Sequence, residues 1–144
     1  MLSCYLRKGI VYLPTMAKEA SGIYRHWEPS YKIAINDTAS LKSAFREVIE
    51  RGSPLIPNQP RGNPDDAEIL KHAGVKTFSA FAQSAQMWSV EDFNGVYTIL
   101  PYKKGKPRGW VPDRERKVEF PLGAPAVAVC DRLISMIQTA AAGG

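Results

Sequence analysis

Only two cysteines and two histidines occur in these 144 residues. Cys4 falls in a stretch of strand character and Cys130 in a helical one, a supply too thin for a disulfide framework or a cysteine-ligated metal cluster. His26 and His72 have no cysteine or histidine at ligand spacing, so both read as structural residues rather than metal ligands. Apolar runs never approach the roughly 18–20 residues that a membrane span requires. The opening MLSCYLRKG places charges ahead of any apolar stretch, unlike a secretory leader, so a cytoplasmic location is the expectation.

Catalytic patterns are missing too. The glycines make neither a P-loop nor a GxGxxG fingerprint, and no serine stands in a GxSxG context. Neither cysteine has a sequence neighbour that would lower its pKa, which leaves Cys4 with His26 as a minor nucleophile–base alternative. Asp65, Asp66 and Glu68 cluster where a helix starts, and their charges suit the helix dipole better than a metal. The chain therefore reads as non-enzymatic, with no cofactor.

What is present is an ordinary globular composition, 44% hydrophobic and 23% charged, in a chain long enough to bury a core as one domain over residues 1–144. The expected fold class is α+β: tandem ββββα repeats, with antiparallel sheets and helices packed on one face. The first repeat spans 1–52. Its strands are Cys4–Leu6, Ile10–Leu13, Gly22–Trp27 and Tyr31–Ile35, with turns at Lys8-Gly9 and at Glu28-Pro29-Ser30 and a polar loop over Met16–Ser21. Pro14 should end its strand or place it at an edge. A helix follows from a cap at Asp37 or Thr38. Leu41, Ala44, Phe45, Val48 and Ile49 make its apolar stripe, and Gly52 closes it.

Residues 53–86 read as a proline-rich linker (Pro54, Pro57, Pro60, Pro64) followed by two short helices. One begins at Asp65-Asp66 and carries Ile69 and Leu70. The other is capped by Thr77 and carries Phe78 and Phe81 as core anchors. The second repeat spans 87–144. Met87–Glu91 and Val96–Leu100 flank Asn94-Gly95, the strongest hairpin signal in the chain. Short strands follow around Trp110 and over Lys117–Phe120, then a helix from about Pro125 with Val127, Cys130, Leu133, Ile134 and Ile137 on one face.

The net charge is +5, and it is concentrated. Between Lys103 and Lys117 stand seven basic residues against Asp113 and Glu115, a surplus equal to that of the whole chain. Such a patch attracts anions. Tyr102, Lys103, Lys104, Lys106, Arg108, Trp110, Arg114, Arg116 and Lys117 combine cations for phosphates with aromatic faces for bases, the mixture that binds single-stranded nucleic acid. A second patch is Arg7, Lys8, Arg25 and Trp27. Solubility and half-buried sheet packing account for the same residues without a ligand.

Two tandem ββββα units with a helix on each sheet resemble the plan of Whirly and PUR-repeat proteins over most of the chain outside the proline-rich segment. That resemblance implies binding of single-stranded DNA or RNA; no motif of either family carries over residue by residue. The phrases CYLRKGIVYLPT and GVYTILPY resemble small uncharacterised bacterial proteins, and some single-domain proteins of this size are immunity proteins that neutralise a toxin. Two readings follow. The main one is a single-stranded nucleic-acid-binding module. The alternative is a specific protein partner, as for an immunity or antitoxin-like protein, whose toxin would be acidic or neutral to suit a charge of +5. Exposed strand edges in each repeat would also allow a homo-oligomer.

Overall fold

The computed structural model describes residues 1–60, 67–105 and 109–143. Three long strands open the chain: β1 (Leu2–Arg7), β2 (Ile10–Glu19) and β3 (Tyr24–Ala34). Helix α1 (Thr38–Arg51), the two-residue strand β4 (Leu55–Ile56) and the short helices α2 (Ala67–Ala73) and α3 (Phe78–Gln83) follow. Strands β5 (Ala85–Phe93), β6 (Val96–Lys104), β7 (Trp110–Pro112) and β8 (Val118–Glu119) lead to α4 (Ala126–Gly143). A 3-10 turn, Arg114–Arg116, separates β7 from β8.

All eight strands belong to one sheet, in the order β3-β2-β1-β5-β6-β7, with β4 beside β2 and β8 beside β6. The two halves are therefore not separate sheets. The facing edges of the two halves are β1 and β5, and they pair antiparallel from Leu2↔Val90 to Arg7↔Ala85. Pairing satisfies backbone groups that an open edge would leave to solvent. The outer edges are β3 on one side and β7 with β8 on the other.

Local turn chemistry sets the register. At both Lys8-Gly9 and Asn94-Gly95 the two central residues have positive φ, 51° and 75° in the first hairpin and 53° and 79° in the second. That is the primed geometry whose twist matches the flanking strands.

The first half holds three strands before its helix, not four. Glu28-Pro29-Ser30 was expected to turn the chain, but it forms a bulge inside β3. The register runs Pro14↔Ser30 and then Thr15↔Trp27, leaving Glu28 and Pro29 as extra residues on β3. The peptide bond between them is cis. Thr15 Oγ1 donates to the Pro29 carbonyl at 2.7 Å, fixing the bulge against β2. The polar loop expected over Met16–Ser21 is likewise strand as far as Glu19, because Met16 and Ala17 are buried. Pro14 lies inside β2, not at its end. It lies where the β1–β2 ladder has already stopped at Tyr5↔Tyr12, so no β1 carbonyl needs its missing N–H.

The two long helices lie on one face of the sheet, as their stripes predict. Leu41, Ala44, Phe45 and Val48 of α1 and Val129, Cys130, Leu133, Ile134 and Ile137 of α4 pack on Cys4, Leu6, Val11, Leu13, Trp88, Val90 and Ile99. Asp37 caps α1, accepting from the Ser40 N–H at 3.2 Å. In α4 the buried stripe begins at Val129 rather than Val127; Val127 shares the spacing, seven residues before Ile134, but stands in the first turn of the helix and is 42% exposed. Gln138 of α4 donates to Thr38 Oγ1 at 2.9 Å and so ties the two helices.

The opposite face carries a smaller cluster of Tyr5, Tyr12, Ile69, Phe81 and Ala85, roofed by α2 and α3. Thr77 caps α3 as expected, accepting from the Ala80 N–H at 3.1 Å. The first part of the proline-rich segment is anchored: β4 runs parallel to β2, with Lys18 N–H donating to the Pro54 carbonyl and Ala20 N–H to that of Ile56. The expected helix start at Asp65-Asp66 lies outside the described residues. No described helix is long and apolar enough to cross a membrane.

Candidate functional site

The described residues of the basic patch differ in what they contact. Lys106 and Arg108 lie outside the described residues. Lys103 is exposed. Lys104 reaches back to the end of α3, donating from Nζ to the Ala85 carbonyl at 2.8 Å and to that of Ala82. Its ammonium also sits 5.0 Å from the centre of the Trp110 ring, and burial lowers its pKa from the usual lysine value. The cation thus adds a donor to a carbonyl in the last turn of α3, Ala82, and to that of Ala85 at the start of β5.

Trp110 is part of the aromatic cluster. Its ring lies 5.6 Å from Tyr5 and 5.8 Å from Phe78, and its Nε1 donates to the Ala85 carbonyl at 3.4 Å. Tyr102 is half-buried, its hydroxyl 3.1 Å from Ser89 Oγ. Lys117 pairs with Glu119 at 2.8 Å. Arg114 and Arg116 are exposed on the 3-10 turn.

The same holds for the second patch. Arg7 is buried, with Nε donating to Ser84 Oγ at 2.9 Å, Nη1 to the Ala73 carbonyl at 3.5 Å, and its guanidinium over the Phe81 ring. Arg25 pairs with Glu19. Lys8 is exposed in the β1–β2 turn, and Trp27 is half-buried opposite Thr15. Of the eleven described residues expected to meet a nucleic acid, five (Arg7, Arg25, Tyr102, Lys104 and Trp110) instead tie strands and short helices together.

The Cys4–His26 pair does not form. Side chains alternate faces along a strand, and Cys4 belongs to the aliphatic cluster while Tyr5 faces the other way. It is the Tyr5 hydroxyl that meets His26, 2.8 Å from Nε2. Burial pushes the Cys4 thiol far up and that of Cys130 up to about 11, so both stay protonated near neutral pH and are poor nucleophiles. No cluster of three or more potential metal ligands occurs among the described residues.

What the structure assembles instead is a groove of about 680 Å³ between α4 and the β5–β6 strands. One wall is the flank of α4 at Arg132, Ser135, Met136, Thr139, Ala140 and Gly143. Their three- and four-residue spacing is a single helical stripe, adjacent to the one that faces the core. The other wall is Gln86, Trp88, Pro101, Tyr102 and Arg116. The 3-10 turn is brought beside Pro101 by the Asp113 N–H, which donates to the Pro101 carbonyl at 2.8 Å.

Neither Arg116 nor Arg132 makes an ion pair among the described residues. The carboxylate next to Arg132, Asp131, points instead toward Lys42 of α1 at 4.0 Å. Sequence reasoning named Tyr102 and Arg116 but missed Gln86, Trp88, Arg132, Ser135 and Thr139. The available signal was the polar stripe Arg132, Ser135, Thr139 beside the apolar one on α4.

No protein-family model matches the sequence, and a search of curated proteins found no significant similarity. Among solved structures, the chain is similar in fold to a protein of unknown function from Neisseria meningitidis, with a TM-score of 0.64 at 13% identity, covering 95% of this chain and 91% of that one. It is similar also to a chain of the CdiA-CT/CdiI toxin and immunity complex from Yersinia pseudotuberculosis, with a TM-score of 0.63 at 11% identity over 94% of this chain and 95% of that one. At such identities the likeness establishes the mixed α+β fold that the chain shares with both.

Proposed function

We propose that this chain is a non-enzymatic protein-binding protein of the immunity type, which neutralises a protein toxin by forming a one-to-one complex with it. The observation that carries this reading is the likeness, over nearly the full length of both chains, to a chain from a toxin and immunity complex. The side-chain placements favour a binding protein over an enzyme: both thiols are buried and protonated, and His26 is engaged by Tyr5 within an aromatic cluster. They also favour a protein partner over single-stranded nucleic acid, because Trp110 and Lys104 are spent on holding α3 against the sheet.

The test pairs the full chain with the products of neighbouring reading frames. One of these should inhibit growth when expressed alone, lose that effect when this chain is co-expressed, and form a one-to-one complex by native mass spectrometry. A labelled mixed-sequence single-stranded oligonucleotide is titrated in parallel at low and near-physiological salt. Protection without a complex, or salt-dependent oligonucleotide binding with no protective effect on any neighbour, would overturn the reading in favour of a nucleic-acid module.

A further inference from the structure

We infer that the groove between α4 and the β5–β6 strands receives an acidic segment of the partner protein, whose carboxylates are held by Arg116 and Arg132. This rests on the immunity reading and names the part of the partner that would be recognised.

Charge selects the occupant. Among the described residues no Asp or Glu lines the groove, while one arginine stands on the α4 side and another on the 3-10 turn. The nearby carboxylates are directed elsewhere: Asp131 faces Lys42, and Glu119 faces Lys117. Glu115 shares the turn with Arg116 but does not line the groove. Two guanidinium groups with no ion-pair partner among the described residues, beside hydroxyls at Ser135 and Thr139, suit the planar, multiply accepting oxygens of Asp and Glu.

Shape and lining narrow it further. A volume of about 680 Å³ is in the range that encloses a drug-sized ligand, so the groove takes a few side chains rather than a whole domain. Its lining includes the half-buried Met136 and Ala140, apolar surface that suits the stems of glutamates or an intervening leucine. A nucleic acid fits less well. Trp88 is only 6% exposed, and Tyr102 is half-buried with its hydroxyl 3.1 Å from Ser89 Oγ, which leaves less ring surface for a base to stack on.

The probe is a short fluorescein-labelled peptide alternating glutamate with leucine, set against its glutamine counterpart and an oligothymidylate, all titrated into the full chain by anisotropy. The acidic peptide should bind at least about tenfold more tightly than the glutamine peptide at low salt, with the preference shrinking as salt rises. The double variant R116E/R132E should weaken it about tenfold or more with an unchanged thermal transition. The control K103E/R114E reverses two charges of the same basic segment outside the groove and should stay within about twofold of wild type. Equal binding of the two peptides, equal losses in both double variants, or oligothymidylate preferred through the same two arginines would each overturn the assignment.

Failure here and failure of the immunity reading separate cleanly. A neighbouring toxin bound and neutralised as well by R116E/R132E as by wild type removes the groove and leaves the immunity role. An acidic peptide docked through the two arginines, with no neighbouring toxin neutralised, removes the immunity role and leaves the groove as an acidic-peptide site.

Discussion

The layer beneath α1 and α4 and the segment between the two halves, residues 53–84, are held by different forces. The first is wholly apolar and mostly aliphatic: seventeen buried residues in one cluster, among them Phe45, Leu133 and Ile137. Among its described residues the second contributes few buried side chains, Ile69 and Phe81 chief among them. What secures it is polar and comes from far along the chain. Glu19 accepts from the Gln59 N–H, Arg7 donates to Ser84 and Ala73, Lys32 donates to the His72 carbonyl, and Lys104 donates to Ala82 and Ala85. The comparison explains why basic residues that resemble a ligand-binding patch are not all available to a ligand. Short helices leave a large share of their carbonyls without intrahelical partners, and a cation on the neighbouring strand is an effective way to satisfy them.

The largest effect that tests this division is Phe45→Ala. Phe45 is fully buried between α1 and the sheet, and removing the ring should cost about 3–5 kcal/mol in urea-induced unfolding. The loss should be global, with far-UV and tryptophan signals moving together. A cost below about 1 kcal/mol would mean that the aliphatic layer is not the main source of stability.

Arg7→Ala should come next, at about 1–3 kcal/mol, because it leaves Ser84 and the Ala73 carbonyl without the guanidinium that now joins them to β1. Its signature should be local. Amide exchange should accelerate in α2 and α3 well before it does in β1 and β5, since these short elements open as a unit of lower stability. Exchange that rose equally across the sheet would show that the segment is not energetically distinct.

The parts of this fold that are legible in the sequence are those whose causes are local. The α1 stripe, the Asp37 and Thr77 caps and the two primed hairpins each depend on residues within a turn or two of one another. The bulge at Glu28-Pro29 was not legible, because whether Pro29 turns the chain or sits within a strand is decided by Thr15, fourteen positions earlier. The merger of two sheets into one depended on β1 meeting β5, a pairing across some eighty residues that no local pattern encodes. The site follows the same rule. Composition picked out the surplus of positive charge, but Arg7 acts on Ser84, 77 positions away, and Lys104 on Ala82, 22 positions away. Arg116 and Arg132 come to line one groove only because the 3-10 turn and α4 converge beside Pro101.

Glu19 should give the smallest effect, and the one that isolates the polar tie most directly. It is the last residue of β2, only 4% exposed, with Oε1 accepting from the Gln59 N–H at 2.7 Å and Oε2 accepting from Arg25 Nε. Both partners favour the ionised carboxylate, the Gln59 N–H first and then Arg25, so the pKa is held below its ordinary 4.5. A group whose pKa is lower folded than unfolded contributes its full stabilisation above the unfolded value and loses it as the pH falls through the folded one. Thermal stability should therefore decline on acidification from about 4.5 downward, and Glu19→Gln should remove part of that decline while lowering stability modestly at neutral pH. Other carboxylates titrate in the same window, so the quantity to read is the difference between variant and wild type at each pH. That difference should shrink toward zero in acid. A constant difference would place the cost of Glu19→Gln in packing rather than charge, whereas Phe45→Ala, which touches no titrating group, should show just such a constant offset.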